Sequence, residues 1–108
     1  MKNELSSTEI FNIIQSKSRV IIFGFAPICM TCEISHRMLK IVQETLKFKF
    51  YSIDLNYHQE WVQQEQLMSV PVLLLIEDGE IVDRIYAFRD VSYLFEKLEN
   101  FTVDEQNS

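Results

Sequence analysis

The sequence predicts an α/β sandwich of three layers, a mixed sheet of four to five strands with helices on both faces. Three observations predict it. Helix-like and strand-like stretches follow one another in the order α-β-α-β-α-β-β-α, so helices separate the strands of one half and a tight turn joins those of the other. Residues 19–25 (Arg-Val-Ile-Ile-Phe-Gly-Phe) show no polar alternation and are rich in branched side chains, as in a strand buried on both faces. Asp78-Gly79 stands between two apolar runs, the signature of a hairpin.

In chain order, Lys2 to Leu5 is a poor strand candidate. Ser6 and Glu9 have the spacing of a capping box, which starts a first helix with Ile10, Ile13 and Ile14 on its apolar face. After the strand at 19–25, a helix is expected over 30–46, with Ile34, Met38, Ile41 and Val42 at helical spacing. Lys47 to Asp54 reads as the next strand, with Phe48, Phe50 and Ser52 on one side and Lys49, Tyr51 and Ile53 on the other. Strand, helix and strand in that order imply a parallel, right-handed crossover.

A short helix over 57–67 is anchored by Trp61 and Val62, with Trp61 read as a packing residue. Ser69 to Ile76 is an apolar strand whose Pro71 belongs at its start, because proline donates no ladder hydrogen bond. Ile81 to Ala87 is the returning strand. Asp90 is a better cap than Arg89 for the last helix, whose buried face carries Val91, Leu94, Phe95, Leu98 and Phe101. The polar, acidic tail after Thr102 is expected to fray, and residues 1–108 to form a single domain.

Composition narrows the function. Apolar residues make up 47% of the chain, enough for a folded core. The net charge of −6 and the scattered placement of Arg37, Lys40, Lys47 and Lys49 argue against a nucleic-acid partner. The opening residues are polar, with Glu4 and Glu9, and lack the apolar core of a signal peptide. Gly24, Pro27 and Pro71 interrupt the longest apolar runs, so no membrane partner is expected. A cytoplasmic monomer without cofactor is expected. With two glycines the chain has no phosphate-cradling loop.

Chemistry concentrates at Cys29-Met30-Thr31-Cys32, where the buried strand turns into the helix. Unpaired backbone N–H groups and the positive end of the helix dipole point at Cys29 and favour thiolate over thiol. The thiolate is the nucleophile of disulfide chemistry. Cys32 lies one helical turn further on, within reach of a bridge to Cys29. In a reducing cytosol a lone Cys-x-x-Cys pair points to catalysis or metal binding rather than to structure.

The element order, with Phe25-Ala26-Pro27-Ile28-Cys29-Met30-Thr31-Cys32 at the end of the first strand, the Val70-Pro71 step, Asp78-Gly79-Glu80 and an amphipathic closing helix, resembles the thioredoxin family over roughly residues 7–100. The resemblance implies a thioredoxin-like fold and thiol–disulfide exchange with disulfide-containing protein substrates, re-reduced by thioredoxin reductase. It implies that Cys29 is the exposed attacking thiolate and Cys32 the buried resolving thiol. It also implies that Pro71 is a cis proline beside the pair and that the Val70 backbone pairs with an extended substrate. Ile28, Val70, Pro71 and Ala87 would rim an apolar docking patch, with Met30 and Thr31 tuning the potential. The chain departs from the family at several points. Ile28 replaces a tryptophan, Met30-Thr31 a Gly-Pro, and Ala87 a glycine. The helix lacks a bending proline near His36 and Arg37. Phe23 stands where the family carries the aspartate that assists the second cysteine.

Two other readings of the same residues remain at this level. The apolar patch alone would make a protein-binding module with little redox turnover. Cys29, Cys32 and His36 also have a Cys-x-x-Cys-x-x-x-His spacing, three ligands of a metal site that needs a fourth. No metal is assigned on that basis, and His36 is read as a solvent-facing helix residue. Glu33, next to Cys32, is read as an exposed charge of the first helical turn.

Overall fold

The computed structural model describes residues 5–107. The stretch weighed as a weak strand, Lys2 to Leu5, lies outside them except for Leu5. The elements are α1 (Ser7–Ser16), β1 (Arg19–Phe25), α2 (Met30–Leu46), β2 (Tyr51–Asp54), a 3-10 turn (Leu55–Tyr57), α3 (Gln59–Gln64), β3 (Val72–Glu77), β4 (Glu80–Ile85) and α4 (Val91–Asn107). Their sheet has the order β2-β1-β3-β4. β1 pairs parallel with β2, Ile22 opposite Tyr51, and antiparallel with β3, Ile22 opposite Leu74. β3 and β4 form the hairpin. Its turn residues, Asp78 at φ 51° and Gly79 at φ 86°, both take the positive φ that a two-residue hairpin requires.

Strand alternation sends the core two ways. Ile21 and Phe23 of β1 join Leu73 and Leu75 of β3, Leu39 and Val42 of α2, and Leu94 and Leu98 of α4. Val20 and Ile22 join Val72, Leu74 and Ile76 with Ile10 and Ile14 of α1. β1 is thus buried on both sides, as its unbroken apolar run required. Gly24 sits where the layers leave no room for a side chain. A Cβ there would stand 2.9 Å from both Leu55 Cδ1 and Val72 Cγ1.

The helices start where their caps put them. Glu9 N–H donates to Ser6 Oγ at 3.1 Å and Ser6 N–H to Glu9 Oε1 at 2.9 Å, the reciprocal capping box. Asp90 caps α4 through Tyr93 N–H, 2.8 Å from its Oδ1. Elsewhere the boundaries moved. β2 begins at Tyr51 rather than Lys47. Lys47 takes a left-handed conformation that closes α2, and the Phe48 carbonyl accepts from the Gln43 side chain at 2.9 Å instead of joining the sheet.

The helix expected over 57–67 is split. Asp54 accepts from Asn56 N–H at 3.0 Å and starts the 3-10 turn, and α3 follows only from Gln59. Gln66 at φ 54° ends it, with Leu67 N–H on the Val62 carbonyl at 2.9 Å. β3 starts at Val72, just after Pro71, and β4 stops at Ile85, two residues before Ala87. α4 runs to Asn107, with no glycine or proline along it to stop it. The buried stripe of α2 also differs from expectation. It is Cys32, Ser35, Leu39 and Val42, while Ile34 and Ile41 are about half exposed, one position off the face that meets the sheet.

Candidate active site

Beyond Phe25 the chain leaves the sheet through Pro27 and turns at Ile28. Ile28 holds φ 52°, a backbone conformation rare for a β-branched residue, and its side chain is fully exposed. That turn delivers Cys29 to the N-cap of α2. There Cys29 Sγ accepts from Cys32 N–H at 3.3 Å, and Glu33 N–H donates to the Cys29 carbonyl at 3.2 Å. Sulfur therefore occupies the place a serine or aspartate cap oxygen usually takes, at the positive end of the helix.

Cys29 and Cys32 form a disulfide, their Cα atoms 5.2 Å apart, within the ordinary span of such a bridge. The two sulfurs have unequal surroundings: Cys29 is half-buried and Cys32 is 4% exposed. Thr31 Oγ1 lies 3.5 Å from Cys29 Sγ, and Met30 extends into solvent.

Two hollows open near this turn, and the first borders the bridge itself. One, of about 390 Å³, is lined by Phe23, Ile28, both cysteines, Glu33 and His36. The other, of about 310 Å³, is lined by Thr31, Pro71, Ala87 and Arg89 among others. The Val70–Pro71 peptide bond is cis, Pro71 is buried, and Ala87 is exposed. Thr31, Pro71 and Ala87 thus share one hollow, while Ile28 lines the other with the cysteines. Val70 is half-buried and packs toward Val72 and Leu74.

His36 is not the solvent-facing residue expected from sequence. It is half-buried, its ring 5.5 Å from that of Phe23 and 5.9 Å from that of Phe50. Burial, and secondarily the Lys40 ammonium, hold its pKa below the usual imidazole value. The four-residue step from Cys32 to His36 already puts the two on one helix face; the covering rings of Phe23 and Phe50, from other elements, carry no such local signal. Sequence reasoning also missed Tyr86 and Phe88, which help line the Pro71 side. His58 is buried on the other face of the sheet, its Nδ1 3.3 Å from Ser7 Oγ. Among the described residues no group of three or more histidine, cysteine, aspartate or glutamate side chains is placed to hold a metal ion. Among them, too, no helix is long and apolar enough to cross a membrane.

Comparison with known proteins places this arrangement. A family model described as Thioredoxin matches residues 2–100. The "Thioredoxin-like protein YusE" of Bacillus subtilis (strain 168) is 38% identical over 80 residues, covering 73% of this chain and 76% of that one. The "Thioredoxin" of the same organism is 28% identical over 86 residues, 78% of this chain and 83% of its own. Among solved structures, a point-mutant thioredoxin from Halobacterium salinarum NRC-1 superposes with a TM-score of 0.77 at 22% identity, over 92% of this chain and 88% of that one. This last likeness is one of fold.

Proposed function

The chain belongs to the thioredoxin family, and on that footing we propose that it reduces protein disulfides with Cys29 attacking and Cys32 resolving. It is a thiol–disulfide oxidoreductase. The division of labour rests on one observation, the unequal exposure of two sulfurs within a single helical turn.

In the reduced protein, Cys29 thiolate at the helix N-terminus attacks a substrate disulfide. A mixed disulfide forms and the first substrate sulfur leaves as thiolate. Cys32, deprotonated, then attacks Cys29 Sγ. The mixed disulfide breaks, the second substrate sulfur leaves, and the Cys29–Cys32 bridge remains. Two electrons pass to the substrate, and each departing thiolate takes a proton. A thioredoxin reductase is the natural source of the two electrons that reopen the bridge.

The Pro71 hollow suits an extended substrate segment, with the Val70 backbone adding it as a strand, Pro71 and Ala87 giving apolar contact there, and Ile28 giving it at the cysteines' own hollow. Thr31, through its hydroxyl, and Met30 set the potential, for which a tenfold change in equilibrium corresponds to about 30 mV. We read residues 1–108 as one domain working as a cytoplasmic monomer, where reducing conditions keep a lone cysteine pair available for exchange.

Trapping tests this reading. Cys32→Ser removes the resolving thiol and should leave substrate proteins bound to Cys29 through bonds that reductant releases. Cys29→Ser should trap nothing. Equal trapping by the two variants, or none by either, overturns the assignment.

A further inference from the structure

The resolving step asks most of this protein. Cys32 must act as thiolate, yet it is 4% exposed, and burial favours the neutral thiol. Cys29 is by then tied to substrate and carries no charge. Phe23, fully buried, walls the hollow beside Cys32, and a phenyl ring accepts no proton.

We propose that His36 takes the Cys32 proton through water held in the hollow that both residues line. This rests on the assignment of Cys32 as the resolving thiol. Position carries the inference. His36 follows Cys32 by four residues on α2, so both side chains lie on one helix face, and both border the same hollow. At about 390 Å³ the space holds several waters, each occupying about 30 Å³ in the liquid. The imidazole does not swing freely, because Phe23 and Phe50 pack against it.

From β1 and from the connection before β2 the ring meets phenyl groups. Among the described residues, the titratable and charged groups bordering the hollow or acting on the ring are Cys29, Cys32, Glu33, Arg37 and Lys40. Burial and Lys40 favour the neutral imidazole, and the unprotonated ring nitrogen of a neutral imidazole is an acceptor. Glu33 is exposed to solvent, and carboxylates as a class are weaker bases than imidazoles, so His36 is the better acceptor. Transfer to His36 is uphill, and consumption of the thiolate by attack on Cys29 draws it forward. Cys32 loses a proton to the ring, its sulfur bonds to Cys29 Sγ, and the substrate thiolate leaves. The imidazolium then returns the proton to that thiolate or to water.

A two-phase assay separates the steps. Reduced protein mixed with a small aromatic disulfide, dithionitrobenzoate, releases one thionitrobenzoate when Cys29 attacks and a second when Cys32 resolves. His36→Gln should slow the second phase about a hundredfold near pH 7, the low end of general-base help. It should also erase the imidazole inflection from the pH profile of that phase. His36→Phe keeps an aromatic packed between Phe23 and Phe50 and should give the same loss, and free imidazole should partly rescue His36→Ala. A second phase within twofold of the parent in both His36→Gln and His36→Phe overturns the proposal, as does a loss seen only in Glu33→Gln. Absence of the first phase in the unaltered protein instead overturns the exchange reading itself, and the proton role with it.

Discussion

The sheet's two faces are covered by helices of different weight. On one, α2 and α4, seventeen residues each, pack over Ile21, Phe23, Leu73 and Leu75. On the other, α1 of ten residues and α3 of six cover Val20, Ile22, Leu74 and Ile76. Leu39, Leu94 and Leu98 on the heavier face are completely buried, whereas α3 has no fully buried residue and Trp61 is half-exposed. The cysteine pair belongs to the heavier face, because Cys32 starts the same buried stripe that continues through Leu39 and Val42. A reacting group needs a fixed direction, and long helices locked by several buried leucines hold one better than a two-turn helix does. The lighter face supplies stability without touching the sulfurs.

That contrast can be broken or sharpened by substitution. Cys29→Ser should abolish turnover of protein disulfides while leaving the unfolding midpoint of the reduced protein nearly unchanged, since the half-buried sulfur packs little core; insulin reduction and urea unfolding measure the two. Leu39→Ala should cost about 2–5 kcal/mol and slow exchange too, whereas Ile14→Ala should fall near the lower end of that range and spare exchange. Equal effects of the pair on rate would erase the distinction between the faces.

Gly24→Ala probes the layer between β1 and the lighter face. Its new Cβ would meet stiff Val72 and buried Leu55 at 2.9 Å, and a loss of about 1–3 kcal/mol should appear in urea unfolding. Ser6→Ala removes the capping box and should cost about 1 kcal/mol, with exchange kinetics intact.

The smallest effect concerns acid. The folded-state pKa of His36 lies below its unfolded value of about 6.5. The unfolded chain therefore binds more protons there. Stability from this group is complete above pH of about 6.5 and declines as pH falls toward the lower folded value. His36→Gln should flatten that part of the curve of unfolding midpoint against pH. A steeper fall in the variant would contradict the burial of the ring.

Much of this was legible along the chain. Arg19–Phe25 had no polar alternation and is buried on both sides; Ser6 and Glu9 had capping-box spacing and make both bonds; Asp78-Gly79 turns as its residue types require. The misread places share a cause. Phe48 and Phe50 alternate as a strand would, yet Lys47 reverses the chain and Gln43 takes the Phe48 carbonyl. Ile34 and Ile41 fit helical spacing as well as Leu39 does, and only the position of the sheet decides which stripe is buried. His36 looked exposed because its covers, Phe23 and Phe50, come from other elements.

The sequence by itself determined the alternation of elements, the caps and turns that bound them, and the place of a cysteine pair at a strand-to-helix turn. Those properties follow from neighbours within a few residues, where periodicity and side-chain hydrogen bonding act. Only the tertiary structure decided that Cys32 is sealed while Cys29 is half open, that Pro71 lies beside Thr31, and that an imidazole shares the sulfurs' hollow. Burial and shared cavities arise from surfaces brought together across the chain, and no local pattern encodes which surfaces meet.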